Sequence, residues 1–429
     1  MDFYLGIDFG TSGARAVVID VEATIQAEAQ YSFGVSVPGI NTAISWQTAL
    51  FTLIEKIPAP LRREVRALAI DGTSSTVLLC DAVGRPIDPP LLYNDGRGVA
   101  MMDTLRAIAP PNHTVVSATS SLAKLLWMTQ LPSFTEARYF LHQADWLAFL
   151  LHGQLGISDY HNALKLGYDI EHFCYPAWMT QLPMNQLLPL VLAPGTPTGE
   201  VTAEIAGRFG LPRDCLVCAG TTDSIAAFLA SGAHSPGEAV TSLGSTLVLK
   251  LLSRSRVEDA RAGIYSHRLA PPLQEAVEGG LWLTGGASNT GGAVLRQFFT
   301  DSQLEQLSCQ IDGSKESQLD YYPLPKPGDR FPINDPHLPP RLEPRPTDPV
   351  EFLHGLLEGI ARIEARGYQL LQQMGATPLS KVYTAGGGAG NPTWAKIRAR
   401  HLKVPLVPPV HTAAAYGTAL LAMRGLRYA

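Results

Sequence analysis

The chain has 429 residues, 46% of them hydrophobic and 17% charged, with a formal net charge of -5. That length allows two domains with a core each, and the composition is globular rather than disordered. The negative balance speaks against a nucleic-acid binder, which needs a basic surface to displace counterions. No apolar run approaches the roughly 18 residues of a membrane span, and the amino terminus lacks a basic leader region, so a soluble cytoplasmic protein is expected.

In chain order, residues 3–31 predict a three-stranded meander, with strands at 3–9, 14–19 and 25–31 and a turn at Gly10-Thr11-Ser12-Gly13. An amphipathic helix over 46–57 follows, with Leu50, Leu53, Ile54 and Ile57 on one face. A second hairpin is expected from a strand at 65–70, the turn Asp71-Gly72-Thr73-Ser74-Ser75 and a strand at 77–80. Residues 100–190 read as helices and loops, clearest at 121–128 and 145–151. A strand at 215–219 then meets a helix beginning near Asp223. Cys215 and Cys218 form a C-x-x-C pair on that strand, but positions i and i+3 of a strand face opposite ways and no second pair supplies ligands. Core cysteines are the expectation.

Residues 239–249 repeat the design of the amino-terminal hairpin, with Gly244-Ser245-Thr246 at the bend. Two strand–glycine–hydroxyl–strand hairpins, one in each half, predict two related domains facing one cleft. A proline-dense loop over 323–349, a long helix over 350–374 and a strand at 381–385 come next. Asn391-Pro392 opens a helix with a cap and a first-turn proline, and a last helix spans 412–423.

Phosphate oxygens need several N–H donors converging from one side, and glycine-rich turns expose their amides in that way. Gly10, Thr11 and Ser12 offer one such turn, and Gly244, Ser245 and Thr246 offer another at the matching place in the second half. Asp8 ends its strand with no neighbouring cation evident and is a candidate to hold hydrated magnesium beside phosphates. Gly386-Gly387-Gly388-Ala389-Gly390 lies between a strand and a helix and could admit a flat ligand against the backbone, or could simply serve a turn needing positive φ. A dinucleotide fingerprint would need glycine where Asn391 stands, and no glycine is followed by lysine, so the P-loop motif fails too. Asp223 starts a helix and reads either as a cap or as a base that takes a proton from an attacking hydroxyl. Asp95 and Arg97 are either a polyol-recognising pair or a solvated ion pair.

These pieces resemble the FGGY carbohydrate kinases over almost the whole chain. The resemblance is carried by Gly6-Ile7-Asp8-Phe9-Gly10-Thr11-Ser12, Asp95-Gly96-Arg97, Lys124-Leu125-Leu126-Trp127, Gly220-Thr221-Thr222-Asp223 and Ser242-Leu243-Gly244-Ser245-Thr246. It continues through Gly285-Gly286-Ala287-Ser288-Asn289-Thr290-Gly291, Gly328-Asp329-Arg330-Phe331-Pro332, Gly386-Gly387-Gly388 and Ala415-Tyr416-Gly417-Thr418-Ala419. It implies duplicated actin-like (ribonuclease H-like) α/β domains around a central cleft that takes ATP and a sugar. The first domain is expected over 1–222 and the second over 223–429, with the helix at about 412–424 free to pack back on the first. By the same resemblance Asp223 is the base, Asp8 and Thr11 serve magnesium and phosphate, and the second hairpin contacts phosphate. Gly387, Gly388, Asn391 and Trp394 then line an adenosine pocket.

Many xylulose and glycerol kinases of the family carry a Gln-Met-His-like element where this chain has Gly72-Thr73-Ser74-Ser75-Thr76. The small residues and the short chain resemble a compact cyanobacterial and plant branch associated with D-ribulose. On that branch Ser74, Asp8 and Asp223 are expected at the sugar. The rival reading, a nucleotide-gated binding protein on the same fold, expects a peptide-binding domain after the last helix, where this sequence has none.

Overall fold

The computed structural model describes residues 1–34, 41–269 and 280–427. The chain divides into two units. Unit 1 holds residues 1–230 and the carboxy-terminal residues from 413; unit 2 holds 231–269 and 280–412.

The sheet of unit 1 is built from β1 (Phe3–Phe9), β2 (Gly13–Ile19), β3 (Ile25–Ser32) and β4 (Val65–Gly72). Two short sheets follow, β5 (Val77–Cys80) with β6 (Tyr139–His142) and β7 (Ile157–Asp159) with β8 (Leu190–Leu192). β9 (Pro197–Glu200) and β10 (Leu216–Thr222) complete the main sheet in the order β3-β2-β1-β4-β10-β9. β1 is antiparallel to β2 but parallel to β4, and β4 is parallel to β10. The carboxyl ends of β1, β4 and β10 therefore stand side by side, the edge at which open α/β sheets bind ligands.

β1 is buried along most of its length because both of its faces are covered. Leu5, Ile7 and Phe9 pack with Trp46, Leu50, Leu53 and Ile54 of the Asn41–Lys56 helix. Each fully buried leucine or isoleucine there contributes about 1.5–3 kcal/mol. On the other face Gly6 meets the Ala414–Arg427 helix, where a Cβ would lie 2.1 Å from the Ala415 carbonyl oxygen. That contact makes glycine obligatory at position 6.

The expected hairpin over residues 65–80 does not form. β4 already has β1 and β10 on its two edges, so β5 has no edge to join and pairs with β6 instead. Between β4 and β5 the chain makes a tight turn closed by Thr76 N–H to the Thr73 carbonyl at 3.1 Å, with Ser75 at φ 62°.

Unit 2 repeats the scheme. β11 (Glu238–Leu243), β12 (Leu247–Ser253), β13 (Tyr265–Leu269), β14 (Leu281–Ser288), β15 (Lys381–Ala385) and β16 (Leu406–Val407) run in the order β13-β14-β12-β11-β15-β16. β11 is antiparallel to β12 and parallel to β15, as β1 is to β2 and β4. The long helix spans Pro349–Gln373, and its Leu353, Leu357 and Ile360 are fully buried in one core with Leu247, Leu249 and Leu251. Gly285-Gly286, a glycine-rich stretch in sequence, lies inside β14. Cys215 and Cys218 are buried free thiols, each pushed up to about 12 by burial. Among the described residues no helix is long and apolar enough to cross a membrane.

Candidate active site

The parallel register of β1 and β4 sets Asp8 directly beside Asp71. β10 brings Thr221 opposite Asp71, and Asp223 follows as the first residue of the Asp223–Ala230 helix. Asp71 is fully buried. Its Oδ2 accepts a hydrogen bond from the Thr418 hydroxyl, while among the described residues no N–H or hydroxyl donor reaches its buried Oδ1. Burial pushes the Asp71 carboxyl well above the usual carboxylate range, and the charges of Asp8 and Asp223 push the same way. Asp8 is also raised by burial, but Asp71 hydrogen bonds to it and Arg15 attracts it, both opposing the rise. Asp71 is thus the protonated member of the pair, and a proton shared with Asp8 relieves two carboxylates that cannot both ionise in contact.

The sequence reading left Asp8 without a cation. The hairpin register supplies one, since β2 sets Arg15 opposite Asp8 and both line a cavity of about 280 Å³ with Gly10 and Ser12. Asp71 was also missed, read as part of a turn. Strand-end position next to Asp8 is a property of β4 register, which a single sequence does not display.

The two glycine–hydroxyl turns are alike in what they leave uncommitted. In the first, Gly10 N–H closes the bend to the Gly13 carbonyl at 3.0 Å. In the second, Gly244 N–H closes it to the Thr246 carbonyl at 3.2 Å. Among the described residues, the amides of Thr11 and Ser12, and of Ser245 and Thr246, donate no hydrogen bond. Gly10 and Gly244 therefore commit their amides to closing the turns. The second turn is braced from behind, where Gly292 N–H bonds the Gly244 carbonyl at 2.9 Å and Ala293 N–H bonds that of Ser245 at 3.1 Å.

Ser74 is half-buried on the turn after β4, and no hydrogen bond holds its hydroxyl among the described residues. The neighbouring Thr73 is fixed by Gln143 Oε1, which accepts from its N–H and its hydroxyl, each at 3.1 Å. Thr73 and Gln143 line a small cavity with Gly10, Thr11, Trp46 and Tyr93. Asp95 and Arg97 make a bidentate ion pair, with Nη2 to Oδ2 at 2.7 Å and Nε to Oδ1 at 3.0 Å. Burial pushes the Asp95 carboxyl up, yet the Arg97 hydrogen bonds hold it below its ordinary value. His161, at the other side of β10, bonds the Thr221 hydroxyl through Nδ1 at 2.7 Å and fixes that strand end.

Unit 2 contains a cavity of about 620 Å³ lined by Gly244, Ser245, Gly387, Gly388, Asn391 and Trp394, together with Leu295, Arg296, Leu304 and Ser308. The Pro392–Leu402 helix beside it explains the local sequence. Asn391 caps the Pro392–Leu402 helix by accepting from Trp394 N–H at 3.0 Å, and its amide donates to Ser308 Oγ at 2.8 Å. Asn391 therefore joins two walls. Trp394 is buried in the core and its ring backs Gly388, where a Cβ would lie 2.6 Å away. Gly386 has φ 85°, the turn requirement, whereas a Cβ on Gly387 or Gly390 would meet nothing within 4 Å. Those two leave open backbone on the cavity wall.

The family comparisons agree with this architecture. The model for the FGGY family of carbohydrate kinases, N-terminal domain, matches residues 3–230, and the C-terminal domain model matches residues 239–426. The fold is the two-domain actin-like α/β fold of sugar kinases. The chain belongs to the FGGY family of carbohydrate kinases. It is 24% identical over 412 residues to a xylulose kinase of Escherichia coli (strain K12), covering 92% of this chain and 84% of that protein. It is 24% identical over 318 residues to a ribulokinase of Shouchella clausii (strain KSM-K16), covering 63% of this chain and 57% of that one. A solved xylulose kinase from Rhodospirillum rubrum shares the fold with a TM-score of 0.84 at 22% identity, covering 99% of this chain and 90% of that one.

Proposed function

We propose that this carbohydrate kinase transfers the γ-phosphoryl group of ATP to a hydroxyl of a ketopentose, with D-ribulose as the first candidate. The observation that carries the reading is the placing of Asp8, Asp71 and Asp223 at the ends of three adjacent parallel strands, next to a turn with uncommitted amides. A carboxylate is the base such a transfer needs, and the amides are the donors that receive charge as it develops on the phosphoryl oxygens.

In this reading Asp223 takes the proton of the attacking hydroxyl. The amides of Thr11 and Ser12 in unit 1 are phosphate donors, and so are those of Ser245 and Thr246 in unit 2. The adenosine enters the unit 2 cavity along the open backbone of Gly387, with Gly388 held in place by Trp394 and the walls joined by Asn391. Ser74, Asp95, Arg97 and Asp8 direct hydrogen bonds to the sugar. The small side chains at 73–76 support D-ribulose over the xylulose and glycerol alternatives, which in many kinases of this family meet a bulkier element there.

Among the described residues no group of three or more His, Cys, Asp or Glu side chains could hold a metal ion by itself. Magnesium needs no such cage, because it keeps most of its waters and takes one or two carboxylates with the phosphates. Asp8, partly buried beside the fully buried Asp71, fits that demand and would hold the hydrated ion. Bound there, magnesium supplies charge neutralisation on the phosphate oxygens.

The test is ADP release with a panel of D-ribulose, D-xylulose, pentitols and glycerol, followed by NMR of the phosphorylated product. D-Ribulose is expected to give the highest kcat/KM, and ATP turnover without sugar is expected to be slow. Asp223→Ala should lower kcat by about 10²–10⁴-fold with circular dichroism unchanged. Full turnover in that variant removes the proposed base, and a panel led by another sugar removes D-ribulose.

A further inference from the structure

Lys124 is completely buried, and among the described residues no carboxylate bonds its ammonium. Its Nζ donates to three main-chain carbonyls, those of Ser75 at 2.7 Å, Leu92 at 2.6 Å and Tyr93 at 3.4 Å. Three donors on one nitrogen suit three convergent carbonyls. The first carbonyl belongs to the turn that carries Ser74. The other two belong to the segment that leads into Asp95 and Arg97, where Asp95 N–H also bonds the Leu92 carbonyl at 2.9 Å. One turn further along the same Ser121–Met128 helix, Trp127 lies under the Arg97 guanidinium at 4.7 Å.

A buried ammonium is a poor device for stability alone, since an apolar side chain of similar volume fills the space without desolvating a charge. Burial drives the Lys124 pKa down to about 7, against the attraction of Asp95. The two segments meet in a single backbone bridge at Val77 and Leu91, and what the ammonium supplies, and an apolar side chain does not, is a set of donors that extends this tie to Ser75, Leu92 and Tyr93. Ser75 shows the same demand. It holds φ 62° with a buried hydroxyl that has no partner, while its carbonyl is turned to Lys124.

We propose that the Ser121–Met128 helix is a positioning platform for the acceptor sugar, in which Lys124 ties the Ser74 turn to the Asp95 loop and Trp127 seats Arg97. The inference rests on the reading that Ser74, Asp95 and Arg97 face the sugar. Lys124 touches no substrate and acts through the loops it joins.

The experiment measures KM for the sugar and for ATP separately in Lys124→Met, Asp95→Asn, the double variant, and Trp127→Leu. Lys124→Met is expected to raise the sugar KM about tenfold or more and to narrow discrimination among epimeric sugars, with the ATP KM within about twofold of wild type. Most of that effect should vanish in the Asp95→Asn background, because the loop it fixes has lost its reading group. Trp127→Leu, on a half-exposed side chain, gives a smaller rise of the same pattern and keeps the test alive should Lys124→Met not fold. Sugar and ATP KM rising together, or Lys124 and Asp95 effects that simply multiply, overturn the inference while leaving the sugar assignment of Asp95 intact. An unchanged sugar KM in Asp95→Asn overturns the assignment itself, and the inference with it.

Discussion

At the carboxyl edge of the unit 1 sheet, Asp8 and Asp71 stand against one another. In unit 2 the same two places of the strand scheme are held by Ser242 and Ala385, and the buried carboxylates sit elsewhere, against cations. Glu364 meets Arg398 at 2.6 and 2.7 Å. Glu358 is pushed up by burial, but His354, His401 and Arg400 hold it well below the usual carboxylate range. One strand order thus carries two treatments of buried acid. Carboxylates that face each other raise their own cost and remain reactive; carboxylates that face arginine and histidine hold helices together. The first arrangement belongs to a site, the second to a scaffold.

Substitutions can break that contrast, and the largest effect should come from removing Asp223, with loss of turnover and an intact fold. Next is Arg398→Met, which leaves Glu364 buried without its partner and should cost about 3–5 kcal/mol of stability, read by denaturant unfolding. Its kinetic constants at a temperature where it is folded should stay close to wild type. Gly387→Val places a side chain on the open cavity wall of unit 2, so a roughly tenfold higher ATP KM is expected with Tm unchanged.

Asp71→Asn sharpens the comparison through pH. The folded carboxyl holds its proton above the unfolded value, so the folded state binds more protons as pH rises past about 4, and stability falls. The amide has no proton to lose. In the absence of nucleotide and magnesium its Tm should depend less on pH, and at neutral pH it should gain about 2–4 °C for each kcal/mol of relieved cost. A wild-type pH slope in this variant would mean that Asp71 is ionised in the folded state.

Much of the local design was legible in the sequence. The helix at 121–128 and the strand at 381–385 were placed to the residue, the two glycine–hydroxyl bends lie where expected, and Asn391 caps its helix. Each depends on residues a few positions apart, where turn chemistry, capping and apolar period decide the outcome. The false hairpin at 65–80 shows where that reasoning ends. β4 and β5 have the right local signals, but occupancy of the β4 edges by β1 and β10 is a matter of residues far away in sequence.

The sequence by itself determined the strand-and-turn vocabulary, the duplication and the family. Only the tertiary structure decided that Asp71 and Arg15 join Asp8, that Lys124 turns inward to three carbonyls, and that Trp394 backs a glycine from the core. The reason is physical. Parallel register, burial of a charge and close backbone approach are settled by contacts between distant segments, and those contacts leave no periodic trace along the chain.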